Sequence, residues 1–226
     1  MARLVVFDLD GTLVDSRRDI ASSANLLLGE LGAQPLPEER IGDMVGEGAR
    51  TLVRRLITAA AVDVDLRQAF ERFLAIYDEH LVDHTALYPG VSGAIDAAAE
   101  VAQLAILTNK PQHHTDRLLE ALGIRQRFVA ALGGDTTFPR KPDPSALIDL
   151  ARRTGATVAE TIMVGDSTVD LETAHRASAI PCMVTYGFGR FDPADLEGID
   201  VSHTPPELAG ILTTMLNRDA GTTALR

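Results

Sequence analysis

Five short, nearly continuous apolar runs punctuate the chain: Leu4 to Leu9, Leu104 to Leu107, Phe128 to Leu132, Thr161 to Val164 and Pro181 to Tyr186. Runs this short, enriched in β-branched residues and without polar alternation, suit strands buried on both faces. From Ser92 onward they are separated by stretches with helical character, Gly93 to Val101, His113 to Leu122, Ser145 to Thr154 and Val169 to Ala177. Strand-helix alternation predicts an α/β fold: a Rossmann-like open parallel sheet with right-handed crossovers.

One interval breaks the rhythm. Between the first and second runs lies a segment far too long for a single crossover, and Arg17 to Leu31, Pro37 to Gly46, Glu47 to Ala60 and Leu66 to Val82 all carry helical apolar spacing, as in Ala24, Leu27, Leu28 and Leu31. We read residues 16–83 as an inserted small α-helical domain and residues 1–15 and 84–226 as the core. The connections Leu13 to Arg18 and His84 to Gly90 then form a hinge, which places the insert where it can cover whatever lies at the end of the first strand.

What lies there is acidic. Asp8 and Asp10 follow Leu4-Val5-Val6-Phe7, and Gly11 permits the sharp turn that brings them to one small volume. The ends of later strands supply Thr108 and Asn109, Lys141 ahead of Pro142-Asp143-Pro144, and Asp166 with Asp170 at i,i+4 spacing. In a parallel sheet these ends converge at one edge. Four carboxylates around a point, balanced by Lys141 and a hydroxyl, call for a cation, and all-oxygen donors of this kind suit Mg²⁺.

Composition restricts the partners. A formal net charge of -11 opposes nucleic acid and anionic membrane surfaces, so an anionic substrate must be drawn by a local site. The single Cys182 permits no intrachain disulfide and reads as a core thiol in a reducing compartment. No apolar segment is long enough to span a bilayer, and Asp8 and Asp10 interrupt the N-terminal apolar run, so a cytoplasmic protein is expected. Of 21 basic residues all but Lys110 and Lys141 are arginine, and both lysines fall beside the motifs. Lys110 reads equally as a solvated charge leading a helix or as a site residue. Asp15 reads as a hinge or turn residue, His113 and His114 as exposed, Arg54 and Arg55 as a solvated helix face, and Asp135 as a turn former or a support for the Lys141 loop.

Asp8-Leu9-Asp10-Gly11-Thr12-Leu13-Val14-Asp15-Ser16, Thr108-Asn109-Lys110-Pro111, Lys141-Pro142-Asp143-Pro144 and Val164-Gly165-Asp166-Ser167-Thr168-Val169-Asp170 resemble, in order, the four motifs of the haloacid dehalogenase superfamily. The helical insert stands where that superfamily carries its small cap. More narrowly, Val45-Gly46-Glu47-Gly48-Ala49-Arg50, Gly133-Gly134-Asp135-Thr136 and Val184-Thr185-Tyr186-Gly187 look like phosphoglycolate phosphatases.

The resemblance implies a phosphatase in which Asp8 is the nucleophile and Asp10 the general acid and base. It implies Mg²⁺ held by Asp8, the Asp10 main-chain carbonyl and Asp166, with Asp170 as an outer-shell partner. Thr108, Asn109 and Lys141 would bind the phosphoryl group, and Arg50, after the flexible Gly46-Glu47-Gly48 stretch, an anionic part of a small phosphorylated metabolite. Asp10 argues against dehalogenation, whose enzymes lack this second acid. Other expectations kept open are a sugar phosphate or pyrophosphate as substrate, a phospho-accepting signalling receiver, and an inactive scaffold.

Overall fold

The computed structural model describes residues 2–221. Strand β1 (Ala2–Phe7) leads through the short β2 (Val14–Asp15) into four helices, α1 (Arg17–Glu30), α2 (Glu38–Gly42), α3 (Ala49–Ala59) and α4 (Leu66–Glu79), and the chain returns through β3 (Ala86–Leu87). It continues as α5 (Val91–Ala99), β4 (Gln103–Leu107), α6 (Gln112–Ala121), β5 (Ala130–Leu132), α7 (Ser145–Thr154), β6 (Ala156–Gly165), α8 (Thr168–Ala177), β7 (Ile180–Val184), β8 (Asp200–Ser202) and α9 (Glu207–Gly221). Six strands form a parallel sheet in the order β5-β4-β1-β6-β7-β8.

The central position of β1 explains its uninterrupted apolar run. Val5 and Phe7 enter the cluster that contains Ile95, Leu104 and Leu118, whereas Leu4 and Val6 enter the cluster on the opposite face with Leu147 and Leu150. All four side chains are fully buried. Each contributes about 1.5–3 kcal/mol relative to exposure, so neither face tolerates a polar residue.

In the insert, Ala69, Phe73, Ile76 and Tyr77 form the buried face of α4, and the Asp65 side chain caps this helix by accepting from the Gln68 N–H at 3.0 Å. Ile20, Ala21, Ala24 and Leu27 of α1 and the buried apolar residues of α3 and α4 belong to the same cluster as Val5 and Phe7, so packing is continuous from insert to sheet. Where the chain enters and leaves the insert, β2 pairs antiparallel with β3, and buried Asp19 of α1 accepts from the His84 and Thr85 N–H groups and the Thr85 hydroxyl at 2.7–2.9 Å.

Several boundaries differ from the sequence reading. Phe128 lies ahead of β5 and packs edge-on against Phe7, and β7 ends before Tyr186, whose hydroxyl donates to the Thr12 carbonyl at 2.9 Å. Strand β8 and helix α9 were not anticipated. Of the tail expected to fray from Asp219, residues 219–221 continue the backbone of α9 and the remainder lies outside the described residues. No helix among the described residues is long and apolar enough to cross a membrane.

Candidate active site

The cluster grows from the carboxyl end of β1. The Asp8 N–H donates to the Val164 carbonyl at 2.8 Å, which carries the β1-β6 ladder one residue past the strand. The chain then turns: the N–H groups of Leu13 and Val14 both reach back to the Leu9 carbonyl. Gly11 makes this turn at φ +82°, and a Cβ there would lie 2.2 Å from Asp166 Oδ2. Both the backbone angle and the crowding therefore require glycine.

From β6 and α8 come the next carboxylates. Asp166 Oδ2 accepts from the Phe188 and Gly189 N–H groups at 2.8 and 3.1 Å, and Oδ1 from the Thr12 hydroxyl at 3.3 Å. Asp170 closes a capping box with Ser167, and its other oxygen accepts from Lys141 Nζ at 2.5 Å. Lys141 Nζ is also 2.9 Å from Asp8 Oδ1, so one buried ammonium separates two buried carboxylates. Burial works against that ammonium, yet Asp170 and Asp8 outweigh it and hold the lysine above its usual pKa.

Asp8, Asp166 and Asp170 each offer a carboxylate oxygen within 4.8 Å of the others. Burial pushes Asp8 up to about 6, with Lys141 opposing and Asp170 adding to the rise. Burial, followed by the charges of Asp170 and Asp8, pushes Asp166 up to about 7. Asp8 Oδ1 meets Lys141 Nζ at 2.9 Å, and both oxygens of Asp170 are engaged. Asp8 and Asp166, each turning a carboxylate oxygen to the same small volume with Asp170 anchored behind them, fit a divalent cation.

A pH dependence follows. Between about pH 4 and pH 7 the metal-free folded chain keeps protons on Asp8 and Asp166 that the unfolded chain has released, so stability falls as pH rises through that window. A divalent cation takes the deprotonated carboxylates and offsets the loss. Melting in chelator and in saturating divalent cation should show a cation-induced rise in Tm that is small near about pH 5 and grows toward about pH 8. An increment independent of pH removes these two carboxylates from the cation site.

Above the cluster the insert closes a cleft. Its core side presents Asp8, Asp10, Thr108, Lys110 and Asp166, and its insert side Ile20, Val45, Gly48, Leu52, Phe73 and Tyr77. The Asp10 side chain turns away from the other carboxylates: Ser16 donates to Oδ1 at 2.5 Å, and Lys110 Nζ reaches Oδ1 and Oδ2 at 3.0 and 3.2 Å. Lys110 is buried, lines the cleft and also donates to the Tyr77 hydroxyl at 2.6 Å, so it is not a solvated charge.

Asn109 Nδ2 donates to the carbonyls of Gly46 and Lys141 at 3.0 and 3.1 Å, joining the insert's glycine loop to the lysine loop. Arg50 is exposed, with its guanidinium 5.8 Å from the centre of the Phe70 ring, and is not among the cleft-lining residues. His113 is exposed as expected, but His114 is buried beneath Tyr77, ring centres 5.2 Å apart. Burial and the Lys110 ammonium push it down to about 4, so it is neutral at pH 7. Arg55 donates to the Met44 carbonyl and Glu47, and Asp135 accepts from the Gln112 N–H. Tyr77 and Phe73 were not singled out in the sequence, because their spacing marks only the buried face of a helix.

Residues 5–184 match the haloacid dehalogenase-like hydrolase family. A Pseudomonas putida protein named phosphoglycolate phosphatase is 37% identical over 203 residues, covering 87% of this chain and 74% of that protein. One of the same name from Chromobacterium violaceum is 37% identical over 220 residues, covering 95% of this chain and 97% of its own. A crystal structure described as a predicted phosphoglycolate phosphatase from Haemophilus somnus superposes with a TM-score of 0.86 at 30% identity, covering 93% of this chain and 97% of that one. The family match runs from β1 to β7 and takes in the helical insert with Asp8, Asp10, Asp166 and Asp170, and on it the chain belongs to the haloacid dehalogenase-like hydrolases.

Proposed function

We propose that this hydrolase is a Mg²⁺-dependent cytoplasmic phosphatase that converts 2-phosphoglycolate to glycolate and phosphate through an aspartyl phosphate. The observation that carries the reading is Asp8, a buried carboxylate paired with Lys141 and lining the cleft under the insert, with Asp10 beside it. The substrate comes from the relatives' names, and the compartment from the single buried Cys182. The receiver reading has no use for a helical insert over its acidic cluster, and the match over residues 5–184 favours a hydrolase.

In this mechanism an Asp8 oxygen attacks phosphorus as the ester P–O bond breaks, and Asp10 gives its proton to the departing oxygen. Asp10, now a carboxylate, takes a proton from water as the water oxygen attacks the aspartyl phosphate, which releases phosphate and restores Asp8. Thr108 at the cleft and Lys141 beneath it steady charge on the phosphoryl oxygens. Mg²⁺, held by Asp8, Asp166 and the Asp10 carbonyl, supplies neutralisation of the substrate's negative charge when bound.

Phosphate release from a panel of small phosphate esters, with Mg²⁺ and with chelator, tests the proposal. A sharp preference for phosphoglycolate that chelation abolishes is the expected result, and comparable rates on sugar phosphates or pyrophosphate overturn the substrate assignment. The panel also decides the place of Arg50. Loss in Arg50→Ala confined to carboxylate-bearing esters, by roughly 1.5–3 kcal/mol in kcat/KM, assigns it to the substrate carboxylate; unchanged kinetics leaves it on the surface against Phe70.

A further inference from the structure

Lys110 is a buried cation that the proposed mechanism does not use. Its ammonium has three hydrogens and three close acceptors: Asp10 Oδ1 at 3.0 Å, Asp10 Oδ2 at 3.2 Å and the Tyr77 hydroxyl at 2.6 Å. None is left over for substrate. A compact ammonium with independently directed donors can make this three-way contact, which a planar guanidinium cannot, and this accounts for one of the two lysines in an arginine-rich chain.

The donor and its acceptors come from different parts of the molecule. Asp10 belongs to the turn after β1, Lys110 to the junction of β4 and α6, and Tyr77 to α4 of the insert. Tyr77 is itself fixed, stacked on Phe73 with ring centres 5.8 Å apart and tilted against His114. One residue further along α4, Asp78 Oδ1 is 3.0 Å from His113 Nε2 and meets Arg117, while Arg117 donates to the Asp78 carbonyl, so two residues of α6 hold this end of α4 down.

We propose that Lys110 is a positioning residue for Asp10, fixing its carboxyl group for proton transfer, and that Tyr77 makes this hold depend on the insert being closed. The inference rests on the phosphatase reading above. Closure of α4 gives the ammonium its third acceptor and so fixes Nζ, and Nζ in turn fixes both Asp10 oxygens against the Ser16 hydroxyl. When the insert opens, Lys110 loses Tyr77 and Asp10 is free to rotate. Proton delivery is thereby tied to a covered site, which suppresses premature loss of the aspartyl phosphate.

Lys110→Met and Tyr77→Phe test this on two esters, phosphoglycolate and p-nitrophenyl phosphate. The alkyl ester needs its leaving oxygen protonated, whereas p-nitrophenolate departs without a proton. Hydrolysis of the aspartyl phosphate needs Asp10 whichever ester formed it. For Lys110→Met we expect kcat on phosphoglycolate to fall about 100-fold, with KM changed by less than about threefold. On p-nitrophenyl phosphate, rapid mixing should show a burst of p-nitrophenolate approaching one per active site, larger than in the parent, because the first step persists while the second is slowed.

Tyr77→Phe keeps the ring and its packing, and should show the same burst with a loss of about three- to tenfold, so the inference does not depend on a variant that deletes a buried charge. Equal slowing of both steps without a burst reduces Lys110 to a structural role and overturns the proposal. So does a KM for phosphoglycolate raised more than about tenfold at unchanged kcat, which would make Lys110 a reader of the substrate carboxylate. Unaltered kinetics in Tyr77→Phe overturns the link to the insert. Turnover of the parent on both esters is measured first: its absence refutes the phosphatase reading itself, whereas an active parent with no burst in either variant refutes the role of Lys110 alone.

Discussion

Asp8→Asn is expected to lower turnover by at least about 10⁴-fold, equivalent to about 5.5 kcal/mol of barrier stabilisation, because the amide keeps the shape but has no anionic oxygen to attack phosphorus. The melting temperature of the metal-free protein should not fall with it. In the wild type the Asp8 carboxyl is raised to about 6 by burial and by Asp170, so neutralising it relieves an unfavourable charge at pH 7. Lys141 retains Asp170 at 2.5 Å. The pairing of a lost activity with an intact or improved fold separates a chemical role from a structural one. Residual phosphate release within about tenfold of the parent would exclude the covalent role.

Lys141→Met should do the opposite and damage the fold first. The lysine side chain is 2% exposed and lies between Asp8 and Asp170, which are 11% and 0% exposed. Removing one member of a buried charge group costs about 3–5 kcal/mol because its partners are left uncompensated. In a chain of 226 residues that corresponds to a fall of about 6–20 °C in Tm. The companion measurement is the double variant Lys141→Met with Asp170→Asn. Its Tm should exceed that of Lys141→Met alone, since the amide no longer needs a cation; simple additivity of the two losses would show that the ammonium and carboxylate do not act as a unit.

The parts of the site legible in the sequence were those where chemistry and backbone are neighbours along the chain. Asp8 to Thr12, Asp166 with Asp170, and Thr108 with Asn109 each follow directly on an apolar run, so strand and polar residues could be read together. The Gly11 requirement was visible for the same reason. Helix α9 was legible but passed over: Leu208, Leu212, Met215 and Leu216 recur on one helical face and are all buried. Strand β8 offered no signal, because Asp200-Val201-Ser202 is short and polar and becomes a strand only by pairing with Cys182 to Val184.

Contacts across long sequence separations stayed hidden. His114 looked exposed as one of a polar pair opening a helix, and is buried because α4, arriving from the insert, lays Tyr77 on it. The fate of Lys110 depended on the same approach. Asp19, an acidic residue near the start of a helix, resembled a solvated charge and instead clasps the returning hinge strand through Thr85. In each case the deciding partner lies 33 or more positions away in sequence, and no local pattern encodes it.

The middle position of β1 in the sheet has a consequence for how the protein is made. Val5 pairs with Leu104 on one side and with Ile162 on the other, so the strand that leads to Asp8 leaves the ribosome before either neighbour and waits for partners synthesised much later. The insert, whose helices contact one another locally, can collapse while β1 still has both edges open. A nascent chain that has not reached Val164 lacks a flank for β1 and lacks Asp166 altogether, so catalytic competence arises in one late event, when β6 docks beside β1.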